Sequence, residues 1–324
     1  MRAAVHWKDY ELLDASSGER LERWGEILLI RPDPQILWDT PRTDPLWQKA
    51  HARYHRSGTG GGHWERLRPL PDVWEIGYDA PELGLAGLRF RLKPMGFKHT
   101  GLFPEQAVNW ERMAVLIRGA GRPVRVLNLF GYTGGATLAC AAAGASVTHV
   151  DASKGMVAWG RENAALSGLA DKPIRWLVDD CGKFVAREQR RGNTYDGIVM
   201  DPPSYGRGPG GEVWKLEEQI DGLIAQCAAL LSDNPLFFAV NSYTAGLSPS
   251  VMTYMLNTRL LPRFGGGTQA DEIGLPVMCG GFSPPRVLPC GATALWLSAG
   301  AADKPDEGGE GHGYASGGRR VFSV

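Results

Sequence analysis

The stretch from Val124 to Gly135 limits what this chain can fold into more than any other. Val124 to Phe130 is a short, mostly apolar run with β-branched members, bounded by Gly131; a strand buried on both faces reads this way. Gly131, Gly134 and Gly135 predict a tight turn, and the alanine-rich run from Ala136 to Ala143 predicts a helix packed closely on a sheet. A parallel strand, a glycine turn and a helix N-terminus together make a cradle. Missing side chains let the backbone approach a ligand, and free N–H groups favour a negative group there. The spacing is Gly-x-x-Gly-Gly, not the Gly-x-Gly-x-x-Gly of dinucleotide enzymes, so taken alone it also suits a plain buried strand–helix unit.

The segments downstream narrow the choice. Val147 to Val150 is a second apolar strand ending in Asp151, about twenty residues after the glycine turn, where such folds hold a ribose hydroxyl pair. Ile174 to Val178 runs into Asp179 and Asp180, and Gly197 to Met200 runs into Asp201, Pro202, Pro203, Ser204 and Tyr205. Four successive strands thus carry polar or glycine residues at their carboxyl ends, where open α/β sheets bind ligands. Leu236 to Asn241 reads as a fifth strand, and residues near 270–278 and 292–298 as a closing antiparallel pair. Helices are expected over Asn109 to Arg118, Lys154 to Leu166, Phe184 to Arg191, Trp214 to Leu231 and Pro249 to Thr258. Between Asp201-Pro202-Pro203 and the fourth of these, the loop from Gly206 to Gly211 suits either a mobile lid or a plain surface loop.

Asn128 to Gly135, Val150 to Ser153, Asp179-Asp180 and Asp201-Pro202-Pro203 resemble the motif series of class I S-adenosylmethionine-dependent methyltransferases. Within them the chain is similar to the bacterial large-subunit ribosomal RNA branch, through Phe-x-Tyr-Thr-Gly-Gly, Asn163 and Ser167-Gly168-Leu169. The resemblance covers roughly Phe97 to Ala299. It implies a seven-stranded, doubly wound, Rossmann-like α/β sheet in the order 3-2-1-4-5-7-6, S-adenosylmethionine as cofactor, and a nucleobase in RNA, ribosomal RNA first, as substrate. His99, Thr100 and Gly101, followed by Glu105-Gln106, match the family's segment that folds over the cofactor, although Ala107 stands where an arginine is expected. For His99 a structural role competes with a functional one. Asn163 matches a structural position.

The implied cofactor site comprises His99, Thr100, Asn128, Phe130, Gly131, Thr133, Gly134, Asp151, Ala152, Ser153, Asp179, Asp180 and Asp201. In it the Asp151 carboxylate suits two ribose hydroxyl donors, and Asp180, with Asp179 as the alternative, would accept from the adenine amine. The catalytic candidates are Asp201, Pro202, Pro203 and Tyr205. Two prolines stiffen the turn and remove N–H donors, a carboxylate with a proline carbonyl can accept from an amino group, and Tyr205 could stack on a planar base. Cytosine-5 transfer would need a thiolate. Relatives with that chemistry carry Ser-Cys-Ser where this chain has Asn241-Ser242-Tyr243, and none of its five cysteines is expected at the acceptor, so a nitrogen acceptor is favoured.

Residues 1–96 are turn-rich and punctuated by Trp7, Tyr10, Trp24, Trp38, Trp47, Tyr54, Trp64, Trp74 and Tyr78; strands over Glu26 to Arg31, Trp74 to Tyr78 and Leu88 to Leu92 predict a small antiparallel β domain. Its aromatics fit a domain core better than a base-stacking platform. The methyltransferase domain is expected over 97–299, and the Gly-rich tail 300–324 should be disordered. Lysine plus arginine equals aspartate plus glutamate at 35 each, which offers no net field for non-specific RNA binding. The start contains no apolar leader-like run, nothing reaches membrane-spanning length, and scattered cysteines suit a reducing compartment, so a cytoplasmic protein is expected. No Cys/His cluster has metal spacing, and no metal is expected. Two other readings fit parts of the pattern. A nucleotide-binding oxidoreductase shares the cradle but has no use for Asp-Pro-Pro, and an RNA-binding module with a decayed enzyme site would want a more basic chain.

Overall fold

Alternation decides how the central strands pack. In β9 (Arg125–Leu129) Val126 faces one core while Leu127 and Leu129 face the other. In β12 (Gly197–Met200) Val199 opposes Ile198 and Met200, and in β15 (Phe237–Ser242) Phe237 and Ala239 oppose Phe238 and Val240. Each strand is apolar on both faces because helices cover both, and each large side chain so buried contributes roughly 1.5–3 kcal/mol. The computed structural model describes residues 1–58, 61–208, 210–244, 246–279 and 286–302. The tail expected to be disordered therefore lies outside the described residues from 303 onward.

Strands β9, β10 (Ser146–Asp151), β11 (Ile174–Val178), β12 and β15 are parallel, and β17 (Arg286–Leu297) runs antiparallel between β15 and β16 (Gly267–Val277). The sheet order β11-β10-β9-β12-β15-β17-β16 is the 3-2-1-4-5-7-6 arrangement expected from the resemblance. Helices α1 (Ala107–Gly119), α2 (Gly135–Ala142), α3 (Lys154–Leu166), α4 (Cys181–Arg191), α5 (Leu216–Ala228) and α6 (Pro249–Phe264) complete the α/β unit. Three caps fix helix starts where the sequence supplies oxygen side chains: Ser153 accepts from Met156 N–H, Asp180 from Lys183 N–H, and Ser248 from Val251 N–H.

The N-terminal region is joined to this sheet edge to edge. β16 pairs at Val277 with Leu12 of β2 (Tyr10–Ser16), and the sheet continues through β3 (Glu19–Trp24), β4 (Ile27–Pro32), β5 (Ala52–Arg56) and β6 (Gly62–Arg66). A short β1 (Arg2–Ala3) adds to β16, which brings the described sheet to thirteen strands. A separate hairpin, β7 (Trp74–Ala80) and β8 (Leu85–Leu92), lies against α2 and α3. Asn163 accepts from Arg91 N–H at 2.9 Å and donates to Thr133 O at 3.0 Å, while Ser167 accepts from Arg89 N–H at 2.9 Å. Most of the N-terminal aromatics pack inward, Trp7, Tyr10, Trp24 and Tyr78 forming with Trp110 of α1 a chain of edge-to-face contacts, while Trp38 is exposed.

Several boundaries differ from expectation, β17 beginning at Arg286 and α4 at Cys181, and two differences change an element. Trp214 belongs not to a helix but to β14 (Val213–Lys215), which pairs with β13 (Tyr205–Arg207), so the segment after Asp201-Pro202-Pro203 is a hairpin; Pro209, between its strands, lies outside the described residues. Helix α6 extends to Phe264, past Thr258, and takes Pro262 into its final turn.

Candidate active site

The parallel strands end at one large cavity of about 720 Å³. Asp151, Ala152 and Ser153 after β10, Asp180 after β11, and Asp201, Pro202 and Pro203 after β12 line it, with Phe130 after β9. His99 lies in the wall as well. A small pocket of about 50 Å³, lined by Asn128, Gly131 and Thr133, shares Phe130, Tyr132 and Asp201 with the large one. The remaining predicted residues are elsewhere. Gly134 forms the left-handed turn at φ 90° before α2 without lining either cavity. Thr100 is fully buried outside both walls, Asp179 is ion-paired with Arg187, and Tyr205 is exposed on the outer hairpin.

The glycine turn works differently from a bare cradle. A Cβ on Gly131 would lie 2.3 Å from the His149 ring, and one on Gly135 2.6 Å from Trp110, so both glycines make room for buried side chains. The cavity side of the turn is instead shaped by Phe130 and Tyr132, non-glycine residues held at φ 57° and 51°. Backbone in this region is strained and recurs at functional sites. The hydroxyl of Thr133 faces away, donating to Gly101 O at 2.5 Å.

Each acid is held for a reason visible in its surroundings. Asp151 accepts from Tyr132 N–H at 2.9 Å and from Ser153 N–H at 2.8 Å, one bond per oxygen, which leaves acceptor capacity on both. Burial raises its pKa, and the two backbone bonds oppose the rise. Asp180 caps α4 with Oδ1. Asp201 has no hydrogen bond to Oδ1; burial and the neighbouring Glu105 push its carboxyl up to about 7. Glu105 is itself buried; burial raises its pKa, Arg20 and the Tyr243 hydroxyl are among the groups that oppose the rise, and its Oε2 has no partner at hydrogen-bond geometry. His99 stacks near Phe103 at 5.1 Å and is driven down to about 3 by burial, then by Arg31, Lys98 and Arg20, so it is neutral.

Several wall residues had no role in the sequence reading. Arg20 comes from β3, Asp33 and Gln35 from the turn after β4, and Lys98, Trp214 and Tyr243 from elements flanking the sheet; Glu105, from the segment matched to the one that folds over the cofactor, lines the same wall. The Trp214 indole donates to Pro203 O at 2.6 Å and packs 5.1 Å from Phe130, tying the hairpin to the Asp-Pro-Pro corner. Tyr243 accepts from Gln106 at 2.8 Å. Cys290, in β17, lines the cavity, as does Cys181, although the sequence leads one to expect no cysteine at the acceptor. Burial raises both thiols well above their ordinary range, so neither is a resting thiolate.

The model of a family described as "S-adenosylmethionine-dependent methyltransferase" matches residues 53–224, more than half of the chain. A SAM-dependent methyltransferase from Agrobacterium tumefaciens is 37% identical, with a TM-score of 0.84 over 91% of this chain and 92% of that one. Ribosomal RNA large subunit methyltransferase K/L of Shewanella baltica is 33% identical over 201 residues, 59% of this chain and 25% of that protein. The chain thus spans about a quarter of the length of the curated relatives it matches. A methyltransferase solved in complex with SAH shares the fold at a TM-score of 0.64 and 19% identity, over 90% of this chain and 76% of that one.

Proposed function

Because the chain belongs to the S-adenosylmethionine-dependent methyltransferases, we propose that it methylates a nucleobase nitrogen in RNA, with ribosomal RNA the first substrate to test. The substrate class follows the name carried by the curated relatives. One observation carries the chemistry: Asp201, with an unpartnered buried oxygen, shares a cavity with Asp151 beside a proline-stiffened corner.

The cavity suits the cofactor. Its volume is in the range of ordinary small-molecule sites, and Asp151 keeps acceptor capacity on both oxygens for two ribose hydroxyls. Asp180 is the acid placed to accept from the adenine amine, since Asp179 is already paired with Arg187. Once bound, S-adenosylmethionine supplies a methyl group activated by its positive sulfur. The protein's own work is alignment, exclusion of water and management of one proton. Asp201 and the Pro202 carbonyl accept from the acceptor N–H and fix its lone pair; the Pro203 carbonyl is occupied by Trp214. As the nitrogen gains its fourth bond, Asp201 takes the displaced proton, and a carboxyl near 7 is matched to that task. Phe130, Trp214 and the Phe103–Tyr132–Tyr243 cluster wall the reacting end with rings, a part Tyr205 does not share. Such chemistry belongs in the cytoplasm, where five unpaired cysteines are also stable.

The test is methyl-labelled donor with total RNA from a strain lacking the gene, followed by mapping of the labelled nucleotide. Label on a base nitrogen supports the reading. Cofactor binding with no label in RNA, or label in protein alone, overturns it.

A further inference from the structure

Among the described residues, three buried polar side-chain atoms without a hydrogen-bond partner belong to side chains that line the large cavity: Arg20 Nε, Glu105 Oε2 and Asp201 Oδ1. Arg20 is 6% exposed and Glu105 3%. Native interiors rarely leave such groups unpaired, because each forgoes its water without replacing it.

The neighbours explain how Arg20 stays free. Arg31 donates to both oxygens of Glu22 at 2.5 and 2.7 Å, and the Tyr10 hydroxyl donates to the same carboxylate at 2.8 Å. Arg20 Nε is left at 3.4 Å from Glu22, and Nη1 at 3.6 Å from Asp33, which accepts instead from Gln35 N–H. These ion pairs hold Arg20 in place without a hydrogen bond to Nε. Burial works against its charge, but Glu22 leads the acidic neighbours that outweigh it.

The side chains that carry the three unpartnered atoms, a guanidinium and two carboxyls, line the cavity, and this limits the occupant. A phosphodiester offers acceptors alone; it would meet Arg20 and leave both carboxyls unpaired, with like charge between them. An apolar group would satisfy none. A nucleobase edge presents acceptors and N–H donors side by side.

We propose that Arg20 and Glu105 recognise the polar edge of the acceptor base, Arg20 donating to a ring nitrogen or carbonyl and Glu105 accepting from an N–H, beside Asp201. The proposal rests on the nucleobase reading above. It gives the N-terminal strands a function, since Arg20 on β3 reaches the site only because β2 to β4 continue the catalytic sheet past β16. That region completes the acceptor pocket rather than serving as a detached RNA-binding module.

Arg20→Lys keeps the charge and loses the guanidinium fork; Glu105→Gln keeps the shape and exchanges the carboxyl for an amide. Both are compared with the wild type in S-adenosylhomocysteine affinity by calorimetry and in kcat/KM for methyl transfer to RNA from the deletion strain. Inhibition by the four nucleosides and by inorganic phosphate is measured alongside. The expected result is cofactor affinity unchanged, kcat/KM lowered about ten- to a hundredfold in each variant, and inhibition by at least one nucleoside that phosphate does not reproduce. Relaxed discrimination among the nucleosides in Arg20→Lys separates recognition from a merely structural effect. Unaltered kcat/KM in both variants, or inhibition by phosphate without any by nucleosides, overturns the assignment while leaving RNA methylation standing. A wild type that binds cofactor and labels no RNA overturns both.

Discussion

Asp201→Asn should make the cofactor-free protein more stable, and increasingly so as pH rises. In the native state burial and Glu105 hold the Asp201 carboxyl at about 7, against an ordinary 3.8. Between those values the native state retains a proton that the unfolded chain has released. Stability therefore falls as pH climbs through the window and is level above it. At about 1.36 kcal/mol per pH unit the full cost is about 4 kcal/mol, of which roughly 2–3 kcal/mol develops between about pH 5 and about pH 8. Asparagine fills the same space and does not titrate. Urea denaturation of both proteins at those two pH values should show the variant's advantage widening by that amount. Glu105→Gln in the wild-type background should narrow the window by removing the second cause. A wild-type and variant gap that is constant with pH, or a variant no more stable near pH 8, would refute both the burial argument and the assignment of Asp201 as proton acceptor. In activity the same group predicts a wild-type kcat/KM that rises with pH to a plateau near neutrality.

Asp151→Asn should weaken S-adenosylhomocysteine binding about ten- to a hundredfold in calorimetry, since an amide offers one acceptor oxygen where two hydroxyls need two. Asn163→Ala removes the side chain joining Arg91 N–H to Thr133 O and should cost roughly 2 kcal/mol in chemical denaturation, with cofactor affinity of the folded fraction unchanged. Cys290→Ser should leave methyl transfer within about threefold of wild type, because a nitrogen acceptor needs no thiolate; complete loss, with the fold intact by circular dichroism, would favour covalent chemistry instead.

What the sequence disclosed, and what it hid, follows from how each feature is encoded. The four apolar strands with acids at their ends are local: a buried strand and the residue after it sit together in the chain, and Asp151, Asp180 and Asp201 converge because parallel strands share one end. That Gly131 and Gly135 also make room for His149 and Trp110 is not legible locally, because those side chains come from other elements. Tyr205 was placed by its nearness to Pro203, yet strand alternation in the hairpin turns it outward, and Trp214 ties back to that corner from eleven residues on. Arg20 is the extreme case. Nothing in Glu19 to Trp24 marks it among alternating charges, and its importance appears only when Arg31 is seen to saturate Glu22.

The same cavity concentrates the conformations and charges that a chain selected for stability alone would discard. Phe130 and Tyr132 hold positive φ, Glu105 is buried and Asp201 half-buried, each with a buried unpaired oxygen, and Arg20 is buried with an unpaired nitrogen. In the same network Glu22 is matched: it is held at about 2 despite burial, with Arg20 and Arg31 the leading influences. Matched burial next to unmatched burial in one network argues against poor packing as the cause, since the sequence plainly supplies partners where it needs them. The side chains of Arg20, Glu105 and Asp201 line one cavity and set a donor beside two carboxyls. A ligand that fills it recovers the desolvation cost only in the bound complex, so binding should stabilise this enzyme beyond what cofactor contacts alone provide.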